Sequence, residues 1–262
     1  MMPLTDALIR STLVLAAGIV AVSMLRGRSS ALRHWVLAVT IAAAALAAPL
    51  AWILPAWQAT AVPAPAALVF EAPGPSLAAE TVADVLTAPA RSVPLGLIWL
   101  LGVALALGAL LRHVVRLARI SARASPVAEP SWLRIVDEVR GEYGVRQPVP
   151  VLATPVHDLL ATWGLFRPCI LVPARATRWD DDLIRVVVCH ELAHVRRNDW
   201  AVQMAADIVR RIYWFQPLMW IACRMLRRES EQACDDVVLG TGVAAPTYAS
   251  HLLQLARAGR SA

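Results

Sequence analysis

The sequence predicts a helical membrane anchor of three spans followed by a cytoplasmic α+β domain. Three observations carry that expectation. The chain is 58% apolar with a mean hydropathy of +0.56, whereas soluble domains sit near ~45–50% apolar. Its long apolar stretches all fall within the first 111 residues. Its arginines flank those stretches instead of forming one cluster.

The balance of charge narrows the class further. The 262 residues carry a net charge of +6, and all 25 basic residues are arginine. A basic chain can bind nucleic acid, but arginines that bracket apolar segments serve membrane orientation, and no direct nucleic-acid binding is expected. The composition excludes disorder, collagen and a disulfide-rich secreted scaffold. Cys169, Cys189, Cys223 and Cys234 form no CxxC pair, which argues against a disulfide framework or a Cys-type zinc finger. Unpaired cysteines fit a reducing compartment, and these read as small buried hydrophobes.

The anchor occupies residues 1–111. Its first span, about 7–25, rises roughly 1.5 Å per residue and so reaches across a hydrocarbon core of about 30 Å. Arg10 lies near its start, where a long side chain can snorkel to the interface. Asp6 before the apolar run and three arginines after it argue against a cleaved signal peptide. The second and third spans are 35–54 and 94–111. Arg26, Arg28 and Arg33 lie between spans one and two, and Arg112, Arg116, Arg119 and Arg123 follow span three. The loop 55–93 holds one arginine, Arg91, against Glu71, Glu80 and Asp84. The positive-inside rule then puts the first loop and everything after Arg112 in the cytoplasm, with the N-terminus and the 55–93 loop outside. That loop is rich in Pro and Ala and reads as a spacer.

Residues 112–262 have a different texture. Trp132, Ile135, Val136 and Val139 have helical spacing within 131–143. Residues 148–153 and 169–172 read as short strands, with a turn near Gly164 between them. Asp180, Asp181 and Asp182 supply an N-cap and an acidic first turn for a helix reaching about Arg197. A second helix is expected over 199–213. A third starts at Pro217 and stops at Gly240, and a short last one carries Leu252, Leu253 and Leu255. Asp207, Arg210 and Arg211 interrupt the apolar stretch 200–225, which reads as two domain helices and not as a fourth span.

The chemistry centres on His190-Glu191-Leu192-Ala193-His194, an HExxH motif. Residues four apart on a helix share a face, so both imidazoles can hold one ion. Glu191, offset by about 100° from His190, stands beside the remaining coordination position, where it can take a proton from a zinc-bound water. A chance match in a chain of this composition is on the order of one in a few hundred. A gluzincin-type site needs a third protein ligand, usually a Glu on a later helix. The candidates are Glu229, Glu231, Asp235 and Asp236. Glu231 and Asp235 share a face, so one can ligate while the other orients a ligating histidine, and spacing alone does not choose between them. Glu229 lies about 160° from Glu231 around a helix; beside Arg227 and Arg228 it reads as part of a solvated charge run. Tyr213, Tyr248, His157 and His251 are weak candidates for an oxyanion donor, each read first as structural.

Three runs together carry a resemblance: HELAHVRRND from His190, WFQPLMW over 214–220 and ESEQACDDVVL over 229–239. With LLATWGLFRPCILVP over 159–173, they resemble the BlaR/MecR family of membrane zinc metallopeptidases, bacterial sensor-transducers that lead to inactivation of a gene repressor. The resemblance covers about 112–256, and three preceding spans match in number. It implies that His190, His194 and Glu231 are zinc ligands and Glu191 the catalytic base. It makes Asp235 a residue that holds a ligating histidine and leaves Cys234 to packing. The implied protein is a multi-pass zinc endopeptidase of the bacterial inner membrane. It would cut itself, a cytosolic transcriptional repressor or both. Characterised sensor members continue into a fourth span and an extracytoplasmic ligand-binding domain. This sequence stops at Ala262, so it is a fragment or lacks that sensor, and β-lactam sensing is not supported by its residues. The alternatives are an HtpX-type quality-control protease, which usually has Ala where Cys234 stands, and a signalling scaffold with a vestigial site. A site-two protease buries its motif within a span, which Arg196, Arg197 and Asp199 make costly.

Overall fold

A computed structural model of the chain describes residues 2–53, 95–156 and 159–258. The 55–93 loop and His157 lie outside them. Helices α1 (Met2–Met24), α2 (Ser30–Ile53) and α3 (Leu95–Arg123) come first. Next are strand β1 (Ser125–Pro126), helix α4 (Pro130–Glu142) and strands β2 (Val151–Thr154), β3 (Ala161–Trp163) and β4 (Cys169–Pro173). A 3-10 turn over Ala174–Arg178 leads into α5 (Asp181–Arg197), α6 (Asp199–Ile212), α7 (Pro217–Gly240) and α8 (Ala245–Ala258).

Among the described residues, two helices are long and apolar enough to cross a bilayer, over Ser30–Ala47 in α2 and Gly96–Arg123 in α3. The apolar run of α1, Leu8–Met24, is shorter. An anchor followed by an α+β body fits these elements. Helix α3 continues to Arg123, well past the expected end at residue 111, because no Gly or Pro interrupts residues 109–123. Neither α6 nor α7 meets the same test of length and apolarity.

The α+β body is built as its sequence suggests. Trp132, Ile135, Val136 and Val139 form the buried face of α4. They pack with Ile170 and Val172 of β4 and with Ile184, Val188 and Leu192 of α5. The indole of Trp132 donates to the Ala176 carbonyl at 3.1 Å. The sheet has the order β1-β2-β4-β3, with β2 and β4 parallel and both outer strands antiparallel. Strands β1 and β3 were not anticipated, since two or three residues are too few to show an alternating pattern. Gly164, at φ +107, ends β3; a Cβ there would meet the Arg167 carbonyl oxygen at 2.6 Å. All four cysteines are free, and only Cys223 is not fully buried.

The first two helices pack directly on the later ones. Leu15 of α1 and Leu37 and Ile41 of α2 share a core with Ala206 of α6 and with Met219 and Leu226 of α7. At Gly18 the two anchor helices touch so closely that a Cβ would lie 2.2 Å from the Thr40 methyl carbon. The start of α2 is also tied to α7 by polar contacts. Arg33 pairs with Glu229 at 2.7 Å and donates to Gln232 at 3.1 Å, and Ser30 donates to Asp236 at 2.6 Å. Glu229 is therefore not part of a solvated charge run: its side chain is 11% exposed and faces α2. Removing one partner leaves an uncompensated buried charge, which costs about 3–5 kcal/mol. Arg33→Met is expected to lower the thermal unfolding midpoint in detergent sharply, and Arg33→Met with Glu229→Gln to recover most of it.

Candidate metal centre

Helix α5 carries the HExxH motif, and its start follows from its sequence. The Asp180 carboxylate accepts from the Leu183 amide at 2.8 Å, and Asp181 and Asp182 face the positive end of the helix dipole. His190 and His194 lie on one face with ring centroids 5.0 Å apart. Helix α7 brings Glu231 to them. Its Oε2 stands 3.6 Å from His190 Nε2 and 3.8 Å from His194 Nε2. One ligand atom from each of the three residues lies within 4.8 Å of the others. Two atoms each bound to a tetrahedral zinc at 2.0–2.1 Å are separated by about 3.3–3.4 Å. Two imidazoles and a carboxylate at these spacings fit such an ion.

The ring nitrogens facing away are also held. His190 Nδ1 lies 3.2 Å from Asp235 Oδ1, and the Tyr248 hydroxyl of α8 donates to that same oxygen. His194 Nδ1 lies 2.9 Å from Asp199 Oδ2, with Cys234 Sγ at 3.3 Å. Such partners fix the tautomer and orientation of a ligating histidine. His194, Asp199 and Cys234 form a second group with ligand-capable atoms in reach. Their 2.9 Å nitrogen–oxygen contact is a hydrogen bond, and the group leaves His190 and Glu231 aside.

Of the four acidic candidates on α7, Glu231 and Asp235 face the histidines, while Glu229 and Asp236 face α2. The helical period separates the pairs. Glu191 is buried, and the Thr162 hydroxyl of β3 donates to its Oε2 at 2.7 Å. Tyr248 sits behind His190 and not where an oxyanion would form. Tyr213 donates to the Ala45 carbonyl of α2, far from the motif. No partner nitrogen or oxygen reaches His251 among the described residues.

Asp199 and Thr162 were not anticipated. Five residues along a continuous helix turn through about 500°, which points Asp199 away from His194. Asn198 breaks the helix in the left-handed region at φ 55, and the chain doubles back to deliver the carboxylate. The visible signal was an acid placed directly after an Asn that ends a helix. Thr162 reaches Glu191 only through the short strand β3. His34 of α2 belongs to the same surroundings, with Nε2 3.7 Å from Asp199 Oδ1 and both side chains 1% exposed.

Without metal, these contacts hold the histidines charged. Burial pushes His190 down, but Asp235 and Glu231 more than reverse this and hold it at about 9. Burial likewise opposes the His194 cation, while Asp199, Cys234 and Glu231 raise it to about 12. Hydrogen bonds from His190 and His194 hold Glu231 well below the usual carboxylate range. A raised histidine stabilises the fold fully below its unfolded value of about 6.5 and loses that contribution as pH rises through its folded value. For His190, chelator-treated protein is expected to lose about 3 kcal/mol between pH 6.5 and 9. Denaturant midpoints across that range check this; His194, held at about 12, adds a loss of the same sign, so His190→Gln should reduce the dependence without abolishing it.

A helix-borne HExxH pair meeting a carboxylate from a later helix, beside an edge strand, defines the metal-dependent peptidase class. The BlaR1 peptidase M56 family matches residues 5–262, and the chain belongs to that family of metallopeptidases. It is 29% identical over 144 residues to the regulatory protein BlaR1 of Bacillus licheniformis, covering 55% of this chain and 24% of that protein. It is 30% identical over 78 residues to the methicillin resistance mecR1 proteins of Staphylococcus aureus (strain Mu50 / ATCC 700699) and Staphylococcus epidermidis. That match covers 29% of this chain and 13% of theirs. The matched stretches thus span about a quarter or less of these relatives' length.

Proposed function

We propose that this chain is a membrane-anchored zinc endopeptidase of signal transduction that cleaves itself, a cytosolic transcriptional repressor or both. The observation that carries the reading is the convergence of His190, His194 and Glu231 through their Nε2 and Oε2 atoms at 3.6 and 3.8 Å. Membership of a metallopeptidase family and likeness to regulatory protein BlaR1 support it. His190, His194 and Glu231 would hold the metal. A bound zinc would supply Lewis acidity at the scissile carbonyl and toward the attacking water.

The chain's own groups supply the rest. Glu191 accepts the proton of the attacking water and passes it to the leaving amine. Thr162 holds one carboxylate oxygen of Glu191, leaving the other for the proton. Asp235 with Tyr248, and Asp199 with Cys234, keep the two imidazoles oriented. Strand β3 is one of the two outer strands of the sheet and offers main-chain groups to an extended peptide beside Glu191.

In this reading residues 1–111 are the anchor, with three spans that include α1, and 112–262 form the catalytic part on the cytoplasmic side of the bacterial inner membrane. Arginine placement supports that orientation. A reporter fused after Arg123 is expected to behave as cytoplasmic and one fused near Pro75 as external. The reverse pattern would put the site outside and remove cytosolic substrates. Zinc content together with Glu191-dependent cleavage of the chain itself or of a co-expressed repressor tests the activity.

A further inference from the structure

The cytoplasmic half of α3 has a feature that catalysis does not use. Arg112, Arg116, Arg119 and Arg123 are spaced four, three and four residues apart. Helical geometry puts all four within an arc of about 60°. Each is exposed, and none forms an ion pair or hydrogen bond among the described residues. Helix α3 contains no acidic residue. Among the described residues, the four charges therefore have no acidic partner along roughly 16 Å of helix.

They do not stand on a convex surface. Together with Gly108, Leu111 and Val156, the last just beyond β2, they line an open groove of about 710 Å³. Above the groove the same helix face is apolar. Leu97, Leu101 and Leu105 are 64%, 60% and 67% exposed and continue the spacing of the arginines. A hydrocarbon core takes about 20 helical residues. Counted from Leu95, the boundary falls near residue 114, inside the arginine stripe. One face thus changes from exposed leucine to exposed arginine where acyl chains give way to phosphates.

We propose that this groove is a binding site for an anionic phospholipid, whose phosphate is held by Arg112, Arg116 and Arg119 and whose acyl chains run along Leu105 and Leu101. A soluble anion has no use for the apolar upper half. A nucleic acid or an acidic protein cannot reach it from water. Gly108 matters because a Cβ there would enter open space, leaving room at the turn where headgroup and chains meet. The inference rests on α3 crossing the bilayer.

The test uses the full chain purified in a neutral detergent and mixed with equal dioleoyl-phosphatidylglycerol and dioleoyl-phosphatidylcholine. Captured protein is washed, and its retained lipids are counted by mass spectrometry. An arginine at an anionic surface is worth about fivefold in binding, so wild type should retain the anionic lipid over the neutral one by about tenfold or more. Arg116→Gln with Arg119→Gln should cut that preference to about threefold or less. Gly108→Leu should lower it without altering charge. Arg146→Gln with Arg178→Gln, which removes two exposed charges elsewhere, should leave it intact. Equal retention of the two lipids by wild type, or an equal loss in the Arg146/Arg178 control, overturns the proposal. Complete displacement of the lipid by millimolar inorganic phosphate also overturns it. Carbonate extraction of native membranes, run in parallel, separates the two levels. Wild type that stays in the membrane without a lipid preference sinks only the lipid site. Wild type released by carbonate sinks the anchor reading and the site with it.

Discussion

Glu191→Gln is expected to lower peptide cleavage by about 10²–10⁴-fold, the usual contribution of a general base. Metal content should stay at the wild-type level, because His190, His194 and Glu231 are the residues whose ligand atoms converge. The fold should hold too, since Gln keeps the size of the side chain and can still accept from the Thr162 hydroxyl. Fragment yield from the chain itself or from a co-expressed repressor, measured with zinc content on the same preparations, decides it. Cutting at the wild-type rate would refute the hydrolytic mechanism. Signalling that survives in Glu191→Gln and His190→Ala alike, with no cleavage in either, would favour a scaffold.

The second large effect is on the metal. Glu231→Ala removes the carboxylate that, among the described residues, faces both Nε2 atoms, and zinc is expected to be lost together with activity. Asp235→Ala removes a contact to the far side of His190 only. Losing an outer partner of a ligating histidine costs about 10–100-fold in metal affinity, so this variant should load at high zinc and fail at low zinc. Metal titration of the two variants side by side separates the roles. Full zinc in Glu231→Ala would move the third ligand to another acid and refute the assignment. Asp199→Asn is expected to resemble Asp235→Ala, because Asp199 stands behind His194 in the same way.

The α+β body was legible where periodicity and capping are local. Trp132, Ile135, Val136 and Val139 announce the buried face of α4, and Asp180 announces the start of α5. The HExxH spacing announced one face with two imidazoles, and the four-residue spacing of Glu231 and Asp235 announced a shared one. Each relation lies within a single helix, where sequence distance and spatial distance are tied by 3.6 residues per turn. The four-residue rule left Glu231 and Asp235 open between them. The structure assigns them different sides of His190: Glu231 meets Nε2 and Asp235 meets Nδ1.

What the sequence by itself determined is the motif, the helices that bear it, the apolar stretches and the arginines around them. What only the tertiary structure decided is every relation that crosses between elements. Asp199 reaches His194 because Asn198 turns left-handed, and Thr162 reaches Glu191 through a strand three residues long. Glu229 leaves the solvated surface because Arg33, 196 residues away in the chain, meets it. His34 and Ser30 bring α2 against the same helices that build the candidate metal site. Such contacts depend on how helices pack and on which charges need a partner once buried. Neither leaves a period or a spacing in the chain that local reading can detect.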